Sequence, residues 1–170
     1  MSGPRRPPLA PTALDAAVIQ GRWHVVATTF PMWLDGRRTA PTFTYSRLRR
    51  EGERVRFDDS VGYLANGAPG TIEGIDTQHP EVLTRFTWRG RGWLAAFSSE
   101  WDVVALDPDG DWAVITFERT LVTPAGLDVI TRSPTLGSDE LAAIAAHARA
   151  DVTLRALLDR MVALRGSAAR

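Results

Sequence analysis

Between residues 22 and 133 the chain is a succession of β-rich segments that leaves little room for anything else. "RWHVVATTF" comes first, followed by the Pro/Gly/Arg loop "PMWLDGRRTAP". Then come "TFTYSRL", "RVRFDDSVGY", "GTIEGIDT", "VLTRFTW", "FSSEWDVVALD", "DWAVITFERT" and "LDVITRS". Each is rich in β-branched or aromatic residues, and "REGE", "ANGAPG", "WRGRG" and "DPDGD" supply turns between them. About eight short strands joined by hairpin-length loops predict an antiparallel up-and-down barrel or a sandwich.

The two ends read differently. Residues 1–12 are a Pro-rich start with the composition of a disordered segment, and residues 14–19 are expected to form a short helix. Residues 13–170 read as one domain, long enough for a full hydrophobic core. From about residue 138 the period changes to that of a helix. "SDELAAIAAHAR" places Leu141, Ile144, Ala145 and Ala148 on one face, and "DVTLRALLDRMVALR" does so with Leu154, Leu157, Leu158 and Met161. Ser138 is the expected cap, with Asp139 and Glu140 in the first turn. Two amphipathic helices, or one broken near Asp151, are expected to lie outside the strands, either as packing or as dimer-forming helices.

Several chemistries are excluded. There is no cysteine, so disulfides and thiolate catalysis are absent, and all 20 basic residues are arginine, so no lysine can form an imine. His24, His79 and His147 lack metal-ligand spacing, and neither a phosphate loop nor a nucleophile elbow is present. Formal net charge is zero, which gives no electrostatic case for nucleic acid or an anionic membrane. The arginine cluster at residues 47–56 reads as an exposed hairpin. No apolar run is long enough to span a membrane or serve as a secretory signal, so a cytoplasmic location is expected. No cofactor is called for.

An eight-stranded barrel is wide enough for one small ligand, and strand alternation assigns its lining. Phe43 and Tyr45 share a face; so do Val55, Phe57, Asp59 and Val61; so do Phe86 and Trp88; so do Trp101, Val103 and Ala105. Thr42, Thr44, Arg54, Arg56, Asp58, Arg85 and Asp102 fall on the opposite, outer faces.

"GRW", with Gly21 and Trp23, resembles the G-x-W motif of the lipocalin family, within the calycin superfamily. "EWDVVALD" followed by "DWAV" is similar to the segment around the family's T-D-Y motif, keeping Asp107 but reading "LDP". "VITRSPTLGSDEL" resembles the last strand and flanking helix of bacterial lipocalins, the group the chain resembles most. The resemblance runs over roughly residues 20–150. It implies an all-β, eight-stranded antiparallel up-and-down barrel with C-terminal α-helices packed outside, Gly21, Trp23 and Arg132 being structural. Arg132 is expected over the Trp23 indole at the closed end. The C-terminal segment reads as helical where many bacterial relatives add an extended strand. The ligand-lining positions carried over are Phe43, Tyr45, Phe57, Phe86, Trp88, Trp101, Val103, Ile115, Phe117 and Asp128. Trp33 and Leu34 stand where relatives close the open mouth.

Two aspartates are unusual. Counting back from Arg132 places Ile130 and Asp128 on the inward face, and Asp59 follows Phe57 and Val61. A carboxylate in an apolar barrel costs several kcal/mol, at roughly that order, unless paired or protonated, and its pKa rises. A bulge at "DDS" would instead turn Asp59 outward, and Asp128 would escape by facing the rim or pairing with an arginine. Glu73, Asp76, Glu100 and Glu118 are assigned to the rim or outer face, and His24 to the outside.

Two functions fit this reading. One is a carrier of an apolar small molecule, lipid-, polyketide- or pigment-like, in the barrel. The other is a cofactor-independent cyclase or isomerase of natural-product biosynthesis on the same cavity, folding a polyene- or polyketide-like substrate into a reactive shape. Asp128, Asp59 and Tyr45 would then be the acid, base or hydrogen-bond donor. No motif specifies a reaction. A third, purely structural role would use the C-terminal helices. The expected partner is a small molecule, with no nucleic acid and no membrane insertion, and the chain is a monomer or homodimer.

Overall fold

The structure, a computed structural model, describes residues 13–164; the disordered start expected over residues 1–12 lies outside them. β1 (Gly21–Thr28), β2 (Arg38–Glu51), β3 (Arg54–Ala65), β4 (Ala68–Gln78), β5 (Arg85–Gly90), β6 (Ser98–Leu106), β7 (Trp112–Phe117) and β8 (Gly126–Thr131) pair antiparallel in chain order. β1 then pairs with both β8 and β2, so the sheet closes on itself. The hairpin turns carry the backbone chemistry this requires. Asn66 and Gly67 both hold positive φ (52° and 78°), the two left-handed residues of a type I′ turn between β3 and β4.

Strand alternation divides the apolar side chains between two cores. Trp23, Phe43, Phe57, Phe86, Trp101, Ile115 and Ile130 fill the barrel. Val26, Ala27, Ala105, Val114, Leu127 and Val129 face outward beneath Ile144, Ala148, Leu154 and Leu158. A bulge in β1 between Val25 and Ala27 shifts the alternation there, so Val25 points in while Val26 and Ala27 point out. All six residues of β8 are buried, because its outer face is roofed by the C-terminal segment.

Helical structure differs from expectation in three places. Residues 14–19 form turns rather than a helix, with Val18 N–H donating to Asp15 O (3.0 Å) and Gln20 N–H to Ala17 O (3.3 Å). Leu14, Ala16 and Ile19 fold under the barrel end, a short span over which turns satisfy the backbone as well as a helix would. α2 (Ser138–Ala148) is capped by Gly137, not Ser138: Glu140 reaches back to accept from the Gly137 N–H at 3.2 Å. After it only one turn, α3 (Arg155–Leu158), is helical, with α1 being the equally short Pro31–Leu34. The chain then adds a short strand, β9 (Val162–Ala163), against β1 at Ala27 and Thr28. β2 pairs with β1 only over Gly21 to His24, so the edge beyond has free backbone groups that β9 takes up.

At the closed end Arg132 lies over Trp23, its guanidinium carbon 3.5 Å from the ring centroid. It also donates to Arg22 O and Val18 O (both 3.1 Å), and the buried Trp23 indole donates to Ile19 O at 2.8 Å. One cation thus ties β8, β1 and the N-terminal turns together, a stacking worth about 0.5–2 kcal/mol.

Candidate functional site in the barrel

The lining is built from residues of matching parity on adjacent strands. Tyr45 on β2 faces Asp59 on β3, and Phe57 on β3 faces Asp76 on β4. Asp76 in turn faces Trp88 on β5, and Phe86 faces Trp101 on β6. On the far wall Asp128 of β8 lies between Ile115 of β7 and Thr28 of β1. β3 pairs with β4 without interruption through Asp58 and Asp59, so there is no bulge at "DDS" and Asp59 points in.

Aromatic rings fill the space between these walls. Trp101 stacks on Phe86 (4.5 Å between centroids) and on Tyr45 (5.6 Å), while Tyr45 and Phe86 each meet Phe57 edge-on. Towards the mouth Phe117 contacts Phe43, Trp101 and Phe30. Phe30 packs so closely on Gly126 that a Cβ there would come within 2.2 Å of its ring. Trp33 of α1 is buried beside Tyr63, over the opening. Leu34 does not share that role: it is 39% exposed, since one helical turn presents only one face inward.

Three carboxyls lie inside this cluster. Asp76 is fully buried, and Trp101 Nε1 donates to its Oδ1 at 2.8 Å. Asp59, also buried, lies against Asp76; Asp59 Oδ1 and Asp76 Oδ2 have no other partner, so a proton on one carboxyl would let it donate to the other. Asp128 is 1% exposed and accepts from Thr28 Oγ1 at 2.6 Å; its Oδ2 has no partner. Thr28 Oγ1 accepts in turn from Phe30 N–H, linking Asp128 to the segment over the mouth. Burial pushes the Asp76 and Asp128 carboxyls up to about 7, and burial together with Asp76 lifts Asp59 well above the ordinary range. Burial, and after it the field of Asp59, Asp76 and Asp128, raises Tyr45 well above a normal phenol.

Asp76 is the residue that strand reading misplaced. It lies inside, not at the rim or on the outer face, because Ile75 beside it takes the outward position and the pairing with Phe57 and Trp88 turns Asp76 in. Glu73, Glu100 and Glu118 stay outside, held by Ser60, Thr87 and Arg85. A separate cleft of about 520 Å³ lies at the closed end between Leu14, Arg50, Val55, Gln78 and Leu83; no interior carboxyl lines it.

Closed eight-strand pairing, the Trp23–Arg132 stack and the flanking helix occur together with a sequence match over residues 14–160 to the family model described as "Lipocalin-like domain". The chain belongs to that family. No curated protein matches this lipocalin-like chain in sequence. Among solved structures, lobster apocrustacyanin A1 is similar at a TM-score of 0.62 and 16% identity, covering 91% of this chain and 81% of its own. The siderocalin Ex-FABP, described as functioning through dual ligand specificities, reaches 0.62 at 18% identity, covering 89% and 97%. H1 crustacyanin from the lobster Homarus americanus reaches 0.61 at 17% identity, covering 86% and 77%. At such identities these likenesses establish the fold. No described helix of the lipocalin-like chain is long and apolar enough to cross a membrane.

Proposed function

We propose that this lipocalin-like protein binds an apolar, unsaturated small molecule inside the barrel, entering beneath Phe30 and Trp33. The observation that supports this is the continuous run of ring contacts from Phe86 through Trp101 and Tyr45 to Phe117, a lining suited to stacking on a flat or polyene body. The rings contact one another, and a bound ligand would take the place of some of those contacts. Diphenylhexatriene, a neutral polyene that fluoresces in apolar surroundings, is expected to bind saturably at about one per chain and to quench tryptophan emission by energy transfer. Trp93→Ser and Leu121→Ser, which remove exposed apolar side chains at the mouth, are expected to leave that titration unchanged. Absence of saturable binding, or its loss in those surface variants, overturns the reading.

A second reading, a cofactor-independent cyclase or isomerase, is favoured by one specific feature. Asp59 and Asp76 are buried against each other beside Tyr45, and burial raises all three groups, the kind of tuning that general acid–base chemistry uses. It predicts turnover. A compound extracted from the protein and returned to it is expected back as an isomer of equal mass from wild type, and unconverted from Asp59→Asn. Under the carrier reading both return it unchanged.

A further inference from the structure

The interior carboxyls bear on the chemical class of the ligand, an inference that rests on the barrel interior being the binding site. Among the described residues no arginine or histidine pairs with Asp59, Asp76 or Asp128. The arginines that form ion pairs do so with Asp58, Glu51, Asp102, Glu118 and Asp159. An anionic ligand would therefore meet only like charge within the barrel, and a hydrocarbon would leave a buried carboxylate oxygen without a donor.

The three acids are not equivalent. A buried oxygen on each of the three, Asp59 Oδ1, Asp76 Oδ2 and Asp128 Oδ2, lacks a donor, but Asp59 and Asp76 stand close enough to answer each other once one of them is protonated, and Trp101 supplies Asp76 with a further donor. Asp128 has a single donor, Thr28, on one oxygen, and its other oxygen is buried and unpartnered. It sits one inward step along the wall from the Phe30–Phe117 pair, whose centroids are 5.3 Å apart, with Phe43 beyond. A carboxylate oxygen lacking a donor beside π-faces, in a site with no internal cation, has the composition that recognises an ammonium group.

We propose that the barrel binds a protonated organic amine with an aromatic or unsaturated body, its ammonium group donating to Asp128 Oδ2 while the body stacks among Phe117, Phe43 and Tyr45. The amine completes the hydrogen bonding of Asp128 and supplies the charge that the protein itself withholds. Binding is then linked to protons, because an ammonium favours the ionised form of Asp128. The groups facing this site are Thr28 from β1, Tyr45 from β2 and, across the barrel, the Asp59–Asp76 pair from β3 and β4.

The test is calorimetric titration of the full chain with tryptamine and with propylindole, its neutral analogue of matching shape. Tryptamine is expected to bind about tenfold tighter or better at about pH 8, roughly the strength of one charge-assisted hydrogen bond. Asp128→Asn is expected to erase that preference, so that the variant binds tryptamine no better than it binds propylindole. In wild type, tryptamine affinity is expected to rise between about pH 6 and pH 8 with release of protons to the buffer, a readout independent of any variant. Equal affinity for the two indoles, a preference that survives Asp128→Asn, or affinity flat with pH overturns the amine inference. If diphenylhexatriene still binds in that case, the barrel remains a ligand site of another class; if it does not, both readings fall.

Discussion

Trp101→Ala is expected to be the most damaging single substitution in the barrel, costing about 4–8 kcal/mol in urea denaturation. Truncating a buried tryptophan removes about 3–5 kcal/mol of packing, and a buried acceptor left without its donor costs about 1–3 kcal/mol more. Both losses apply here, because Trp101 stacks on Phe86 and Tyr45 and also donates to Asp76 Oδ1 at 2.8 Å. Small domains are stable by only about 5–15 kcal/mol, so the variant is expected to be partly unfolded at room temperature. Trp101→Phe separates the two contributions. It keeps most of the ring but not the N–H, and about 1–3 kcal/mol is expected to go. That deficit is expected to shrink near pH 5, where Asp76 carries its own proton and needs the indole less. A cost under about 2 kcal/mol for Trp101→Ala would mean that the rings do not form the packed stack described.

The second large effect is on pH dependence. Asp76 and Asp128 are raised to about 7 in the folded chain, against about 3.8 in the open one. A carboxyl raised in the folded state binds its proton more tightly there than when unfolded. Its stabilisation is fully present below the unfolded value and is lost as pH climbs towards the folded one. Each pKa unit corresponds to about 1.4 kcal/mol, so each group can withdraw up to about 4 kcal/mol. The unfolding free energy is therefore expected to fall by several kcal/mol, on that order, between about pH 5 and pH 8.

Asp128→Asn isolates one contribution. Its side-chain oxygen still accepts from Thr28, but no charge has to be buried. The variant is expected to be more stable than wild type by about 2 kcal/mol near pH 8 and to lose that advantage near pH 5. His24, whose pKa is lowered chiefly by burial, acts in the opposite sense, and it cancels in the difference between the two proteins. A wild-type stability that is flat or rising from pH 5 to pH 8, or an Asn variant weaker than wild type at pH 8, would contradict the burial of an unpaired carboxyl at this position.

Much of this was legible before any coordinates. Period-two alternation is a local property of extended chain, so Phe57 and Asp59, or Ile130 and Asp128, must share a face once the strand exists. The family resemblance carried by Gly21, Trp23 and Arg132 then implied where the barrel's closed end lies. Alternation failed where its signal is weak. In "GTIEGIDT" the apolar Ile72 and Ile75 are three residues apart and cannot both face inward. Ile72 packs against the interior cluster, Ile75 does not, and Asp76 takes the inward place.

The sequence by itself determined the strands, their turns and the inward side of the clearly patterned strands, because each follows from local periodicity and hairpin chemistry, while closure into a barrel rather than a sandwich was implied only by the family resemblance. Only the tertiary structure decided the rest. The meeting of Asp59 with Asp76, the stranding of Asp128 Oδ2 and the fit of β9 onto β1 depend on what neighbouring strands place opposite them. Pairing register joins residues far apart in the chain, and no local pattern encodes which buried oxygen will be left without a donor.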